Sequence, residues 1–431
     1  MREFLKRVPF AEDLIRRNPL YYARFRRLLD DVTPMSAMER KALQSKLLDR
    51  SISWATGLPG YLGSAGSTTL AQFPILTKDQ LQGRTQEFSY QGLTGVRAST
   101  GGSSGRPLRL LRSPRSVVIE QATIDWIAAK AGVDLVRCRV AVLRGDVIKD
   151  PNDQTAPFWR YAGPRRLVLS SNHLNPANYG QFAAELAAFR PDVLLAYPSS
   201  LELLTNLTDD RGPSLKFPLV ITSSEMLRPG LRQRARSVFG AELLDHYGMA
   251  ERVSAAYSLE DGVYWLIFPY GATELIGDSE GEDGKARIVG SALWNRAQPL
   301  IRYDTGDIAL LPAGNPNVER ITLGLDPFLG IEGRASDVLQ LADGARVYAL
   351  GQVTRGVRGV ATVQFLQHAH DFVEIIVVPN SQYTRETLAA ISYNFYQKAP
   401  NAVRIQFEVR DAPYRLPNGK APVFVSNLIR M

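Results

Sequence analysis

Short apolar runs alternate with helix-like stretches through the middle of this chain, and that alternation constrains the fold more than any other feature. Val140-Ala141-Val142-Leu143, Leu167-Val168-Leu169, Val193-Leu194-Leu195-Ala196-Tyr197 and Leu219-Val220-Ile221-Thr222 each read as a short buried strand. Tyr179 to Phe189 and Leu201 to Leu207, lying between them, read as helices. Alternation of this kind, running from about residue 100 to 310, predicts an α/β fold with largely parallel strands.

The flanks read differently. Up to about residue 90 the chain is helical in character, with Leu14, Ile15, Tyr21, Tyr22, Phe25 and Leu28 at three- and four-residue spacing. Thr77 is placed to cap a helix that begins at Lys78. Val263 to Phe268 reads as a strand stopped by Pro269, and Gly and Pro punctuate Pro312 to Gly333. Beyond lie strand-like Val360 to Gln367, Phe372 to Val378 and Val403 to Val409, with a helix from Arg385 to Gln397. The predicted division is therefore a large domain over 1–333, with a helical start over 1–90, and a small α+β domain over 334–431.

Composition removes several function classes. A single cysteine, Cys138, excludes an intrachain disulfide and a cysteine-rich zinc site. The first residues lack the apolar run of a signal peptide, and no uncharged apolar stretch approaches the ~20 residues needed to cross a bilayer. The expectation is a cytoplasmic protein with no membrane partner. Net charge is +8, from 51 Lys and Arg against 43 Asp and Glu, but the basic residues are scattered in ones and twos. With no basic block and no basic–aromatic stripe, nucleic acid is not an expected partner, whereas small polyanions suit the charge.

Five segments carry chemistry. Ser99-Thr100-Gly101-Gly102-Ser103-Ser104-Gly105-Arg106-Pro107 combines three glycines, four hydroxyls and an arginine. Such a backbone turns tightly and converges its N–H groups on one anion, although a flexible Ser/Gly loop has the same composition. It is not the Walker pattern, because no GKS or GKT follows the glycines. Asp245-His246-Tyr247-Gly248-Met249-Ala250-Glu251 places an aromatic, a glycine and a carboxylate in an expected loop after a strand. Tyr247 would stack on a base, and Glu251 would hold Mg²⁺ against phosphates. Arg302-Tyr303-Asp304-Thr305-Gly306-Asp307 ends in a carboxylate suited to ribose hydroxyls. Gly333-Arg334-Ala335-Ser336-Asp337 sits at the expected domain boundary, and Leu416-Pro417-Asn418-Gly419-Lys420 puts one lysine on a late loop.

In that order the five segments resemble the adenylate-forming superfamily of acyl-CoA synthetases, peptide-synthetase adenylation domains and luciferases. The resemblance is nearest to phenylacetate–coenzyme A ligases and their capsular-polysaccharide-cluster relatives. It is carried there by Phe73-Pro74-Ile75-Leu76-Thr77-Lys78, Ala196-Tyr197-Pro198-Ser199-Ser200 and Ser223-Ser224-Glu225-Met226-Leu227. It implies a large adenylate-forming domain of mixed and parallel sheets flanked by helices, with a small mobile C-terminal lid. It also implies ATP-dependent activation of a carboxylic acid as acyl-AMP, pyrophosphate release, then transfer to a thiol, with coenzyme A as the expected co-substrate. Transfer to a carrier protein, an amine or a sugar stays open, as does a nucleotide-binding regulator without turnover.

Residue by residue, the resemblance implies that Thr100, Gly101, Gly102, Ser103, Ser104 and Gly105 cradle the β- and γ-phosphates. Ser224 and Glu225 line the adenine pocket, with Tyr247 packing on the base and Gly248 among the ATP/AMP-binding residues. Glu251 binds magnesium, Asp307 the ribose, Arg334 the ribose or phosphate, and Lys420 bridges the attacking carboxylate and the α-phosphate. Two departures stand out: Arg106 replaces the usual lysine of the Gly-rich loop, and Ser336 replaces the first hinge aspartate. Tyr161 and Tyr197, with Trp159, lie in the stretch that would build the acid pocket, which favours an aromatic or apolar acid, although core aromatics have the same signature. His173 reads as a structural histidine.

Overall fold

The computed structural model describes residues 15–93, 95–100, 108–211, 215–277, 284–332, 339–343, 346–347, 350–354, 356–399, 403–416 and 418–428. They form two compact units, and the chain visits each twice: Met1–Val136 and Leu244–Arg334 make the first, Arg137–Leu243 and Ala335–Met431 the second.

The first passage through unit one begins with helices α1 (Pro19–Asp31) and α2 (Ala37–Ala55). Asn18 accepts the Leu20 amide ahead of α1, and Ser36 with Glu39 forms a reciprocal capping box ahead of α2. Helix α3 (Lys78–Leu81) starts where the sequence predicts, with Thr77 and Gln80 forming another capping box. Strands β1 (Val96–Ser99) and β2 (Arg109–Arg112) pair antiparallel, and helix α4 (Pro114–Lys130) follows. Phe73, Leu81, Phe88, Leu108 and Leu110 are buried with Val253 and Tyr303 from the second passage, so both passages share one core.

Unit two opens with β3 (Val140–Arg144), β4 (Trp159–Tyr161), β5 (Arg166–Ser170), α5 (Tyr179–Phe189), β6 (Val193–Ala196), α6 (Pro198–Arg211), β7 (Leu219–Ser223) and α7 (Leu231–Phe239). The strand order is β7-β6-β3-β5-β4, parallel except for β4 at the edge. Four of these strands and helices α5 and α6 stand where the sequence places them. From β3 the chain moves one way, to β5; from β6 it moves the other way, to β7. The carboxyl ends of β3 and β6 thus flank a topological switch point, where open α/β sheets bind ligands.

Strand β8 (Glu242–Gly248) carries the chain back into unit one. There β9 (Ala255–Glu260) pairs antiparallel with both β8 and β10 (Val263–Leu266). Strands β11 (Gly271–Gly277), β12 (Lys285–Ala292), β13 (Tyr303–Leu310) and β14 (Gly330–Glu332) form an antiparallel sheet in that order, with the short helix α8 (Val318–Thr322) before β14. The largely parallel sheet predicted up to residue 310 therefore holds only as far as β7. After α7 the pattern changes: β9 pairs antiparallel with β8 and β10, and β11 to β14 pair antiparallel in sequence order.

The last passage pairs β15 (Leu339–Gln340) with β16 (Arg346–Val347). Strands β17 (Val360–Ala369) and β18 (Phe372–Pro379) form a hairpin, helix α9 (Arg385–Tyr396) follows, and β19 (Arg404–Val409) and β20 (Phe424–Ser426) add in parallel at opposite edges. The order is β19-β18-β17-β20. Phe365, Ile375, Ile391 and Phe395 form its core, and the Asn206 amide of α6 bonds the Ala361 carbonyl of β17. Among the described residues no helix is long and apolar enough to cross a membrane.

Candidate active site

In unit one the structure joins two of the predicted motifs. Tyr247 and Gly248 are the last residues of strand β8, not loop residues as expected, because they continue the pairing with Ala256 and Ala255. Only Met249 to Glu251 leave the strand. Asp307 lies within β13, where a bulge re-aims it. Between the Ile308–Arg287 and Asp304–Val289 pairs, three residues of β13 oppose one of β12. Gly306 takes the bulge at φ +74°, while Thr305 Oγ1 donates to the Ile288 carbonyl and accepts the Asp307 amide.

The two motifs are bonded side chain to side chain twice. The Tyr247 hydroxyl donates to Asp307 Oδ2 at 2.8 Å, and the Tyr303 hydroxyl donates to Glu251 Oε1 at 2.9 Å. Burial pushes the Tyr247 hydroxyl well above its usual pKa, and the Asp307 charge adds to the effect. Glu251 is 4% exposed. A buried carboxylate that takes one neutral donor among the described residues fits a magnesium ion that takes its other oxygens from phosphate and water, the usual coordination of that metal. Among the described residues no cluster of three His, Cys, Asp or Glu exists that could hold a metal by itself.

Sequence reasoning missed the residues that brace the Glu251 turn. Arg112, at the end of β2, donates through Nε and Nη2 to the Ala250 carbonyl at 3.0 and 2.8 Å. Burial, with the neighbouring Arg252 charge, lowers its pKa to about 10. Arg252 adopts φ +58° and bonds the Ser116 carbonyl. Glu120 answers these cations: burial pushes its carboxyl up, but Arg252, His246, Tyr270 and Arg112 outweigh that and hold it below the usual range. Thr100 stands where the Gly-rich segment begins. Its amide donates to the Leu108 carbonyl, and its Oγ1 accepts the Leu108 amide. Gly101, Gly102, Ser103, Ser104, Gly105 and Arg106 lie outside the described residues, as do Arg334, Ser336 and Asp337.

Unit two brings together Ser224, Glu225, Tyr197 and Lys420. Ser224 follows β7 at φ +72°, a conformation a non-glycine residue holds only when its surroundings impose it. Its carbonyl accepts the Lys420 ammonium, which lies 5.7 Å from the Tyr197 ring centroid, within cation–π range. Glu225 Oε2 accepts the Ser199 amide at 2.9 Å, which places a carboxylate on the first turn of α6. Burial pushes the Tyr197 hydroxyl up, Glu225 and Asp146 add to this, and Arg144 and the Gly145 amide oppose it.

The remaining candidates sit elsewhere. Tyr161 is on the edge strand β4, half exposed, with its hydroxyl on Glu185, and is not brought together with Tyr197 at the end of β6. His173 is fully buried, with Nδ1 2.7 Å from Ser170 Oγ and its ring stacked on Phe158 at 5.0 Å. Two concavities lie in unit one. One lies between α1 and α4 and the other beside Trp126 and Trp265, away from these clusters.

No family model matches the chain, and no curated relative does. Solved structures do. A 2-hydroxyisobutyryl-CoA ligase in the postadenylation state with an acyl-AMP bound is similar at 16% identity and a TM-score of 0.62, over 91% of this chain and 90% of that one. The same ligase with 2-HIB-AMP and CoA in the thioesterification state is similar at 17% identity and a TM-score of 0.51, again over 91% and 90%. The chain has the fold of the adenylate-forming ligases.

Proposed function

We propose that this protein is an ATP-dependent acid–thiol ligase, which activates a carboxylic acid as its acyl-AMP and passes the acyl group to coenzyme A. The observation that carries the reading is the pair of hydrogen bonds between motifs, Tyr247 to Asp307 and Tyr303 to Glu251, in a chain of this fold.

The chemistry follows from charge. A carboxylate attacking the α-phosphorus brings two anions together, while negative charge grows on the departing pyrophosphate. Asp307 accepts the ribose hydroxyls and Tyr247 packs on the base, which fixes the nucleoside. Glu251 would be the protein ligand for magnesium, and the ion would neutralise phosphate charge. Thr100 opens the segment that would hold the outer phosphates. In unit two, Ser224 and Glu225 contribute to the adenine pocket, and Lys420 offers its ammonium to the attacking carboxylate and the α-phosphate. An ammonium oriented before reaction stabilises that transition state at little reorganisation cost. The acid is aromatic or otherwise apolar.

The test is acid-dependent exchange of labelled pyrophosphate into ATP across a panel of carboxylic acids, followed by thioester formation with coenzyme A. Exchange with at least one acid, and thioester only when coenzyme A is added, is the expected result. No exchange with any acid, in protein that binds ATP, would show a nucleotide-binding protein without turnover.

A further inference from the structure

The mouth of the switch point in unit two is occupied by the chain itself. Gly145 follows β3, and against it lie Asn418 and Gly419. A Cβ added at Gly145 would collide with the Asn418 carbonyl oxygen and lie 3.1 Å from the Gly419 Cα. One added at Gly419 would collide with the Gly145 Cα. Two backbones therefore meet with no side chain between them, which only glycine on both sides allows. Gly419 also requires its φ of +78°.

The bonds around this contact all hold the same five residues. The Gly419 amide donates to the Leu416 carbonyl at 2.8 Å, and the Leu416 amide to the Lys420 carbonyl at 2.9 Å. Arg415 Nη1 donates to the Gly419 carbonyl at 3.0 Å, and the Lys420 amide to Asn418 Oδ1 at 3.1 Å. The end of β6 completes the arrangement, since Tyr197 lies under the Lys420 ammonium. The two strand ends at the switch point thus each hold one part of the lysine loop: Gly145 its backbone, Tyr197 its charge.

We propose that Gly145 and Gly419 form a backbone seat that positions Lys420 for adenylation, with Tyr197 as a second positioning residue; the proposal rests on the ligase reading above. A lysine on a loop is useful only if its ammonium is held in one place, and a misplacement of about 1 Å can cost ~10²-fold in rate. Glycine against glycine supplies a stop with no rotamers, so the loop closes to a single depth.

The test uses the full-length protein and two independent readouts. The first is the acylation rate of Lys420 by an N-hydroxysuccinimide ester, followed by mass spectrometry relative to Lys398, and it needs no catalysis. The second separates pyrophosphate exchange from acyl transfer of synthetic acyl-AMP to coenzyme A. Gly145→Ala and Gly419→Ala should each raise Lys420 labelling several-fold and cut exchange kcat about 10²-fold, with the KM for ATP and the acyl transfer rate within threefold of the parent. Tyr197→Leu, which introduces no collision, should cut exchange three- to fivefold. Unchanged labelling in both glycine variants overturns the seat. Raised labelling with undiminished exchange overturns its role in positioning, as does an equal loss of both half-reactions in folded protein. A parent protein with no exchange on any acid overturns the ligase reading instead, and the labelling result still decides the seat.

Discussion

The carboxylates of unit one and the lysine of unit two are held by different means. Asp307 sits inside a strand, on a bulge pinned by Thr305, and takes a hydrogen bond from Tyr247 on another strand. Glu251 is buried, bonded by Tyr303, and its turn is gripped at the Ala250 carbonyl by Arg112. Each is fixed by side chains carried on strands, of which Tyr303 and Thr305 are themselves buried. Lys420 has a carbonyl and a ring beneath it, and its loop is located by two glycines and one arginine. The first arrangement suits groups that hold a nucleotide throughout a cycle. The second suits a group that is presented for one step, because it is carried on a loop rather than inside a strand.

The largest expected effect follows from that difference. Lys420→Ala should reduce acid-dependent pyrophosphate exchange by 10²–10³-fold or more, since one preorganised donor is worth about that much and a full charge exceeds it. Acyl transfer from synthetic acyl-AMP should be largely preserved. Loss of both half-reactions in folded protein would mean that Lys420 serves closure in general, and would erase the contrast with unit one.

Asp307 should show the opposite signature. Two ribose hydroxyls bonded to a carboxylate contribute about 1.5–3 kcal/mol each. Asp307→Ala should therefore weaken ATP binding at least tenfold, yet barely alter binding of 2′,3′-dideoxy-ATP, as read by calorimetry. Equal losses for both nucleotides would remove the ribose role from Asp307.

The same contrast explains what the sequence revealed. The extent of α5, Tyr179–Phe189, was legible because helical periodicity is local, and the Thr77 cap because its partner is three residues away. The bulge at Asp307 was not legible, because it exists only relative to the register of β12. Tyr247 and Gly248 read as loop because a glycine beside an aromatic imitates a turn, while the pairing that makes them strand comes from β9. Gly145 gave no signal at all: its partner Gly419 is distant in sequence, and a lone glycine after a strand is ordinary. The motif residues stood out by their composition, whereas the groups that hold them in place are set by distant partners.

Alkali should separate the units as well. Tyr61, Tyr247 and Tyr270, all in unit one, have pKa values raised above the ordinary 10, in each case chiefly by burial. A raised folded pKa means that the stabilisation is complete below pH 10 and is lost as pH rises towards the folded value. Each pH unit in that window removes about 1.4 kcal/mol for every tyrosine kept neutral. In unit two, Tyr197 is shifted in the same direction, and Tyr161 is exposed and raised mainly by its bond to Glu185. Pulsed digestion with an alkali-stable protease, with cut sites mapped by mass spectrometry, should find unit one opening first above pH 10. Cuts appearing first in unit two would show that burial of these tyrosines does not set alkaline stability.

The smallest effect compares two glycines with nearly equal backbone angles. Gly306 in unit one and Gly419 in unit two have φ of +74° and +78°. At Gly306 an added Cβ meets nothing within 4 Å, whereas at Gly419 it collides with Gly145. Gly306→Ala therefore carries only the left-handed backbone penalty of about 1–2 kcal/mol. It should lower the thermal midpoint by a few degrees and weaken ATP binding only modestly, since the bulge keeps its Thr305 and Tyr247 bonds. Gly419→Ala carries the same penalty and, in addition, cannot dock, so its loss should appear in exchange rate far beyond any change in melting. If the two alanine variants instead lose exchange activity in proportion to their loss of stability, backbone strain alone accounts for both, and the lysine loop is held no differently from the strand that carries Asp307.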